Sequence, residues 1–366
     1  MADHSSTIFE RPAWMLPTPA RRDEPATSAG LRGLTLRLMR GENLTRDEAA
    51  VLLDALLDGA ATDAQIAAAL VALAVKGETV EELAGMATAM RARAVRIQSR
   101  HDLFIDTAGT GSSAAKTFNV STAAAFVIAG AGLPVAKHGS RAATSRSGSA
   151  DVLTALGVNV TAAPEVSEKC LNEIGICFMF APLYHGATAR VASVRRELGV
   201  HTTFNLLGPL TNPARAPRQV IGVWHRALVE PLARALAALG TRRAWVVHGA
   251  DGLDEVTLTE QTFAAEAVDG QVKKFEIVPE DFGLARAGLD ELRGGDAEMN
   301  ARIIRGVLSG ERQDAARALI IVNAAAALYV GGVAGDLKEA AEQAAASVES
   351  GAALGKLEQL CGATNR

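Results

Sequence analysis

The residues best suited to chemistry lie in two loops rich in Gly, Ser and Thr. The first loop reads DTAGTGSSAAKTFNVST over residues 106–122, and the second reads KHGSRAATSRSGSAD over residues 137–151. Such loops expose backbone N–H groups and hydroxyls, which surround phosphate groups closely. Lys137 and Arg141 add positive charge to the second loop. The pair of loops therefore predicts a ligand with two separated phosphate groups.

Each loop also has a simpler interpretation when it is taken alone. A Gly-rich turn before a helix is an ordinary strand-to-helix connection, in which Ser121 only caps the helix. The first loop is neither a Walker A sequence nor a GxGxxG fingerprint, so an ordinary nucleotide-binding fold is not supported. A single histidine such as His138 is more often a hydrogen-bonded structural residue than a catalyst.

Two further segments carry charged groups. HGADGLDE, residues 248–255, places Asp254 and Glu255 side by side, and Mg²⁺ is commonly held by one or two carboxylates plus substrate phosphates. A solvated acidic turn is the alternative. Residues 184–214 contain Arg195 and Arg196, and arginine suits bidentate carboxylate recognition unless it only faces solvent from a surface helix.

A sheet is needed to bring these segments together. Short apolar runs predict buried strands near residues 103–106, 134–136, 177–181, 219–224 and 244–248. Helices are expected between them, over 121–131, 149–156 and 228–239. This alternation predicts a mostly parallel central sheet covered by helices. Both Gly-rich loops follow a predicted strand, so both should open at the carboxyl edge of the sheet, where ligands bind.

An all-helical region precedes the predicted sheet. Thr45, Thr62 and Thr79 are each followed three residues later by Glu or Gln, which is the capping-box pattern of a helix start. Gly59 and Gly77 stand where two of these helices should end. A helical tail is expected over 313–360, with a break at 332–335.

The predicted organisation is α/β with a small all-helical N-terminal domain. Residues 1–30 are expected to be a flexible extension, residues 31–100 the helical domain, and residues 101–366 the larger α/β domain. A segment near residues 185–210 is expected to return to the helical domain.

Composition restricts the possible classes of protein. The 366 residues are 49% hydrophobic and 21% charged, with a net charge of -4, which does not favour a nucleic-acid or membrane partner. Cys170, Cys177 and Cys361 fit neither a disulfide framework nor a zinc site. No signal peptide or spanning segment of about 20 apolar residues is found, so a cytoplasmic protein is expected.

The four segments, in this order, resemble the anthranilate phosphoribosyltransferases of tryptophan biosynthesis. The matching patterns are GTGxxxxxTFNxST, KHGxRxxxSxxGSADVLxALG, VRRELGVxTxFNLLGPLTNPA and VVHGxDGLDE, and the resemblance extends over residues 34–360. It implies a helical domain hinged to a larger α/β domain, in a homodimer. It also implies a Mg²⁺-dependent transfer of phosphoribose from 5-phosphoribosyl 1-diphosphate (PRPP) to the amino group of anthranilate.

The resemblance assigns roles by matching position. PRPP contacts are implied for Gly109, Thr117, Asn119, Ser121, Thr122, Lys137 and Ser149. Further substrate contacts are implied for Ser112, Ser113, Val120, Gly139, Ser140 and Ser145. Mg²⁺ is assigned to Ser121, Asp254 and Glu255. The anthranilate carboxylate is assigned to Arg195, with His138, His185 and Gly208 lining its pocket. The catalytic candidates are Arg195, Lys137 and His138.

The sequence departs from the family pattern at several of these positions. The second half of the family motif GTGGDG is Gly, Asp and Gly. This chain has Ser112, Ser113 and Ala114 there, so an acidic side chain is absent. The usual KHGNR has Ser140 in place of Asn, and the usual YHPAM is YHGAT. Because Ser still donates and accepts hydrogen bonds, altered affinity is expected rather than lost function. A pyrimidine nucleoside phosphorylase and a non-catalytic nucleic-acid-binding paralogue are the alternatives.

Overall fold

The structure is a computed structural model that describes residues 26–111, 117–142 and 147–366. Most of the expected N-terminal extension lies outside this range. So do three of the expected substrate contacts, Ser112, Ser113 and Ser145.

Four helices form the N-terminal region: α1 (Ala26–Met39), α2 (Arg46–Leu57), α3 (Asp63–Lys76) and α4 (Val80–Arg93). The capping boxes predicted at Thr45, Thr62 and Thr79 are all confirmed, with hydrogen bonds in both directions. Gly77 ends α3 with a φ of 81°, which favours glycine over residues that carry a Cβ.

The α/β part is built on one sheet of seven strands. These are β1 (Ile105–Gly109), β2 (Val135–Gly139), β3 (Ile176–Phe180), β4 (Arg218–Gly222), β5 (Arg243–Gly249), β6 (Thr262–Val268) and β7 (Gln271–Ile277). Their spatial order is β3-β2-β1-β4-β5-β6-β7. The first five strands run parallel, β6 pairs antiparallel with β5, and β7 pairs antiparallel with β6. The mostly parallel sheet and all five predicted strands are confirmed.

The β6–β7 hairpin is absent from the sequence-based prediction. Its turn is Asp269-Gly270, with φ of 49° and 77° at the two residues. Asp-Gly between strand-like runs is the expected sequence of a two-residue hairpin turn with positive φ. The signal was therefore present in the sequence.

Eleven further described helices surround the sheet or return to the N-terminal region. They are α5 (Val120–Gly130), α6 (Ser149–Ala155), α7 (Pro164–Ile174), α8 (Ala181–Tyr184), α9 (Ala189–Leu198), α10 (Thr203–Leu210), α11 (Val229–Ala238), α12 (Ala297–Leu308), α13 (Ala315–Gly331), α14 (Leu337–Glu349) and α15 (Ala352–Thr364). The expected break in the helical tail is confirmed, because Gly332 caps the C-terminus of α13 with a φ of 74°.

Two buried apolar clusters hold the fold together. One contains α5, α13 and the strands they cover. The other joins α1 to α4 with α9, α10, α11 and the opposite face of the sheet. Helices α9 and α10 pack on α2, α3 and α4, and these six helices, α1 to α4 with α9 and α10, are called the helical lobe below. The rest of the described chain is the α/β lobe.

Arginines of the N-terminal helices cap helix ends across the structure. Arg91 of α4 donates to the carbonyl of Leu210 at the end of α10 at 2.7 Å. Arg46 of α2 donates to the carbonyl of Ala238 at the end of α11 at 3.2 Å. Cations at helix C-termini are favourable because the last carbonyls carry partial negative charge. Among the described helices, none is long and apolar enough to cross a membrane.

Candidate active site

A cavity of about 460 Å³ lies at the carboxyl ends of the parallel strands, between the sheet and the helical lobe. Most of the residues expected to contact substrates or metal line it: Gly109, Thr117, Asn119, Ser121, Lys137, His138, Gly139, Ser140, Ser149, His185, Arg195, Gly208, Asp254 and Glu255. Segments about 150 residues apart in sequence thus meet in one cleft, as expected for loops that follow neighbouring parallel strands.

Two of the expected contact residues do not line the cavity. Val120 is the first residue of α5, and its fully buried side chain belongs to the apolar core. Thr122 is also buried, and its hydroxyl donates to Ser149 Oγ at 3.1 Å. Thr122 therefore reaches the cavity only through Ser149, which begins α6.

Asn119 ties the two Gly-rich loops together. Its Nδ2 donates to the carbonyl of Ser147 at 3.0 Å, and its Oδ1 accepts from Ser147 Oγ at 3.1 Å. Asn300 of α12 donates to the same Oδ1 at 3.0 Å. Asn300 was missed in the sequence, because its partners are remote in the chain and only the fold brings them together.

Lys137 projects from β2 into the floor of the cavity, where it is 3% exposed. Its Nζ donates to the carbonyl of Thr107 and to Ser121 Oγ, the latter at 3.3 Å. Burial lowers the pKa of Lys137, and the nearby charges of Asp106 and Glu255 oppose that shift. The ammonium group is thus held at the start of α5, where a phosphate would also meet the helix N-terminus.

Asp254 and Glu255 lie in the loop after β5, facing the first Gly-rich loop. The approach requires glycine on the neighbouring strand, because a Cβ at Gly222 would clash with the carbonyl oxygen of Asp254. Burial and the charge of Asp254 raise the pKa of Glu255 to about 8, while the amide of Ser121 donates to it and opposes the shift. Two crowded carboxylates favour a cation between them.

The carboxylate loop is anchored at both ends. Asp251 accepts from the amide of Leu253 at 3.1 Å and from Thr259 Oγ1 at 2.7 Å. At the other end Asn323 of α13 accepts from the amide of Val256 and donates to its carbonyl, both at 2.9 Å. These contacts fix the backbone on either side of Asp254 and Glu255.

The donor set fits Mg²⁺ bound together with a phosphorylated ligand. Among the described residues, no group of three or more His, Cys, Asp or Glu side chains could hold a metal ion alone. Two carboxylates and the Ser121 hydroxyl are hard oxygen donors, and Mg²⁺ readily completes such a set with phosphate oxygens and water.

Arg195 of α9 lines the cleft from the helical lobe, and neighbouring side chains hold it in place. Its Nε donates to Thr202 Oγ1 at 3.0 Å, and its Nη2 donates to Asn205 Oδ1 at 3.1 Å. Its guanidinium also lies over the ring of Phe204 at 5.5 Å from the centroid. Arg196 beside it is exposed. An arginine that only faces solvent from a surface helix was the alternative interpretation. It describes Arg196 but not Arg195.

His138 and His185, which line the same cavity as Arg195, pack against each other with ring centroids 5.1 Å apart. Burial lowers the pKa of His138 to about 3 and that of His185 to about 4, although each ring donates to a carbonyl, of Gly208 and Thr211 respectively. Each Nε2 is buried without a hydrogen-bond partner among the described residues. Both rings are neutral near pH 7, so neither is a ready proton donor.

Comparison with known proteins agrees with this arrangement. Residues 101–354 match the α/β domain of a glycosyl transferase family, and residues 32–94 match its helical bundle domain. The anthranilate phosphoribosyltransferase of Anaeromyxobacter dehalogenans is 55% identical over 328 residues, covering 90% of this chain and 97% of that protein.

Solved structures give the same result. The anthranilate phosphoribosyltransferase of Thermus thermophilus has a TM-score of 0.86 and 41% identity, covering 91% of this chain and 99% of that chain. The Saccharomyces cerevisiae protein in complex with PRPP and Mg has a TM-score of 0.84 and 28% identity, covering 92% of this chain and 98% of that chain. The same yeast protein in complex with 4-fluoroanthranilate has a TM-score of 0.82 and 27% identity, covering 92% and 98%.

These matches cover both lobes and nearly the full length of each relative, and none of these relatives is a nucleoside phosphorylase. The chain therefore belongs to the anthranilate phosphoribosyltransferase family of glycosyl transferases.

Proposed function

We propose that this chain transfers the phosphoribosyl group of PRPP to the amino group of anthranilate, in the pathway to tryptophan. The products are N-(5-phosphoribosyl)anthranilate and diphosphate. One observation carries the proposal: a single cleft holds phosphate-compatible loops and paired carboxylates at one end, and a fixed arginine beside apolar surface at the other. A doubly phosphorylated donor and an aromatic carboxylate match these two ends.

The phosphate end of the cleft binds PRPP. Lys137 supplies a buried positive charge, and the hydroxyls of Ser121 and Ser149 stand at the starts of α5 and α6. Helix N-termini favour anions because their first N–H groups have no partner within the helix. Gly109, Thr117, Asn119 and Gly139 shape the walls.

Asp254, Glu255 and Ser121 hold Mg²⁺ together with oxygens of PRPP. When bound, the ion neutralises charge on the leaving diphosphate. Without it the adjacent carboxylates would repel an anionic substrate, so metal and PRPP are expected to bind together.

The amine end of the cleft binds anthranilate. Arg195 faces the carboxylate, and its contacts with Thr202, Asn205 and Phe204 keep the guanidinium in place before the ligand arrives. Guanidinium and carboxylate pair through two parallel hydrogen bonds. His138 and His185 form the adjoining wall, where their neutral rings contact an aromatic ligand without a charge penalty.

Rate enhancement comes from positioning and electrostatics. The displacement at the anomeric carbon is dissociative, so positive charge develops on the ribose as diphosphate leaves. The loops hold the phosphates while Arg195 orients the amine toward that carbon, which removes the entropic cost of bringing the reactants together. No described side chain in the cavity is placed as a covalent nucleophile. Domain closure about the segments near residues 95–102 and 185–210, of which the second carries α9 and α10, excludes water.

The proposal also includes the division into a helical domain and a larger α/β domain, and assembly as a homodimer. The helical lobe carries exposed apolar side chains on two packed helices, Met39 on α1 and Val71 and Val75 on α3, which suits a homodimer contact. Sedimentation equilibrium at micromolar concentration should give twice the chain mass, and a monomer would contradict this. The proposed location is the cytoplasm. The proposed partners are small molecules rather than nucleic acid.

Anthranilate fluorescence tests the proposed activity. Purified protein with PRPP, Mg²⁺ and anthranilate should give a decay in fluorescence, and omission of any one component should abolish it. The same protein mixed with thymidine and phosphate should release no thymine. Folded protein without any decay at any Mg²⁺ concentration would contradict the proposal.

A further inference from the structure

We propose that Asp106 and Asn212 are positioning residues that hold β1 and β2 apart and so place Lys137 at the phosphate end of the cleft. The two side chains are called the polar wedge below. The inference rests on the proposed function, because it assigns Lys137 to the PRPP end. Neither residue lines the cavity.

The pairing of β1 with β2 stops unusually early. Their only registered pair is Ile105 with Val135, whereas β1 with β4 and β2 with β3 each have five. The amide of Ile105 still donates to the carbonyl of Pro134 at 2.9 Å. In a regular parallel ladder the next bonds would join Thr107 to Ala136 and to His138.

Side chains satisfy each of the backbone groups that the interrupted ladder leaves. The amides of Thr107 and His138 donate to the Asp106 carboxylate, the latter at 3.2 Å to Oδ1. The carbonyl of Ala136 accepts from Asn212 Nδ2 at 2.8 Å. The carbonyl of Thr107 accepts from Lys137 Nζ. Buried backbone groups must be paired, so these side chains make the gap between the strands stable.

The wedge itself is a buried pair. Asn212 Nδ2 donates to Asp106 Oδ2 at 2.7 Å, and the two residues are 1% and 0% exposed. Asn212 Oδ1 accepts from the amide of Ala214 at 2.9 Å, which orients the amide group. The charge of Lys137 opposes the effect of burial on the Asp106 carboxylate. The pair is therefore fully satisfied, as a buried polar network must be.

The wedge also joins β1 and β2 to the segment that follows α10. Asn212 lies two residues after the end of α10, and the nearby carbonyls of Gly208 and Thr211 accept from the rings of His138 and His185. Its Nδ2 reaches β1 and β2, where both Gly-rich loops begin. If the strands closed on each other, Thr107 would pair with β2 and Lys137 Nζ would lose its carbonyl acceptor.

Exchange of the two side-chain types tests this inference. Asp106→Asn replaces one carboxylate oxygen by an N–H donor, which must face either the Asn212 amide or the backbone amides of Thr107 and His138. Asn212→Asp sets two carboxylates against each other. Each single variant should weaken PRPP binding about tenfold or more, because a buried polar group is left unpaired. The double variant Asp106→Asn/Asn212→Asp restores a donor facing an acceptor between the two side chains, but the Ala136 carbonyl still loses its donor. It should therefore bind PRPP more tightly than Asn212→Asp, in which two carboxylates face each other.

Two measurements separate positioning from a general loss of stability. Calorimetric titration with PRPP and Mg²⁺ in the absence of anthranilate reports binding, and steady-state kinetics gives both KM values. The KM for PRPP should rise about tenfold and that for anthranilate less than about threefold. Ser347→Ala is the matched control: it removes a buried hydrogen bond to the carbonyl of Val127, remote from the cleft, and should change neither KM.

Clear results would overturn the inference. These are folded Asp106→Asn protein with wild-type PRPP affinity, an equal rise in both KM values, or a double variant that binds PRPP no more tightly than Asn212→Asp. Should Asp106→Asn not fold, Asn212→Ser gives the same comparison, and unchanged PRPP affinity there would also overturn it. Wild-type protein that binds PRPP but does not consume anthranilate would instead contradict the proposed function and leave the binding comparison valid.

Discussion

Arg195 illustrates how neighbouring side chains turn a helical arginine into a binding group. Its two hydrogen bonds and its stacking on Phe204 use part of the guanidinium, and the rest of the group faces the cavity. A carboxylate placed there gains charge-assisted hydrogen bonds without the entropic cost of ordering a long side chain.

Arg195→Ala should therefore raise the KM for anthranilate about tenfold to a hundredfold, since hydrogen bonds to a charged group contribute about 1.5–3 kcal/mol. The KM for PRPP should change little. Arg196→Ala removes the exposed neighbour and is the control. If PRPP rather than anthranilate showed the larger change, Arg195 would have to be assigned to the other end of the cleft.

The adjacent carboxylates should control the response to Mg²⁺. Asp254→Asn with Glu255→Gln removes both charges and keeps the side-chain shapes, so turnover at any Mg²⁺ concentration should fall by about a hundredfold or more. Rates are measured over a Mg²⁺ titration. Asp251→Asn alters the anchoring of the loop but keeps both carboxylates, and it should retain the metal dependence. Wild-type rates in the double variant would make the two carboxylates merely structural.

The buried histidines should make stability depend on pH. The folded pKa values of His138 and His185, about 3 and about 4, lie below the unfolded value of about 6.5. The folded state therefore binds fewer protons, and stability present above pH ~6.5 is lost as the pH falls toward those folded values. At pH ~5 each histidine should lower the free energy of unfolding by on the order of 2 kcal/mol relative to pH ~7.5.

Urea unfolding at the two pH values measures this cost. His138→Gln/His185→Gln cannot take up protons and should lose less stability between pH ~7.5 and ~5 than the wild type, whatever its absolute stability. An identical pH dependence in both proteins would show that other groups dominate.

At the scale of elements, features that depend on residues close in sequence were predicted more accurately than contacts between distant residues. The capping boxes at Thr45, Thr62 and Thr79 depend on residues three positions apart, so the sequence predicts them directly. Strand positions were also predicted, with ends that differ by a few residues. The β6–β7 hairpin was missed, although Asp269-Gly270 signals its turn.

The cap of α3 provides a test at this scale. Thr62→Ala removes the oxygen that accepts from the amide of Gln65, so the free energy of unfolding should fall by about 1 kcal/mol. Thr62→Ser keeps the oxygen and should lose much less. Chemical denaturation of the two variants gives the comparison, and equal losses would mean that the hydroxyl is not the stabilising group. Both KM values should stay unchanged, because the cap is remote from the cleft.

At the scale of the whole molecule, the cleft depends on how two lobes share their helices. The sequence motifs predicted which residues meet, because loops after parallel strands converge at one edge. They did not predict the supports. Asp106 and Asn212 are 106 positions apart, and Asn300 reaches Asn119 from 181 positions away. Such contacts follow from the packing of the sheet and helices rather than from any local pattern.

The two ends of the cleft must also act on one pair of substrates, which is the central claim. Phosphorus NMR of PRPP, Mg²⁺ and anthranilate with the protein tests it most directly, with anthranilate followed in the same tube. The account predicts one diphosphate released and one phosphoribosylated amine formed for each anthranilate consumed. Diphosphate released without loss of anthranilate, or no change in PRPP with folded protein, would contradict it.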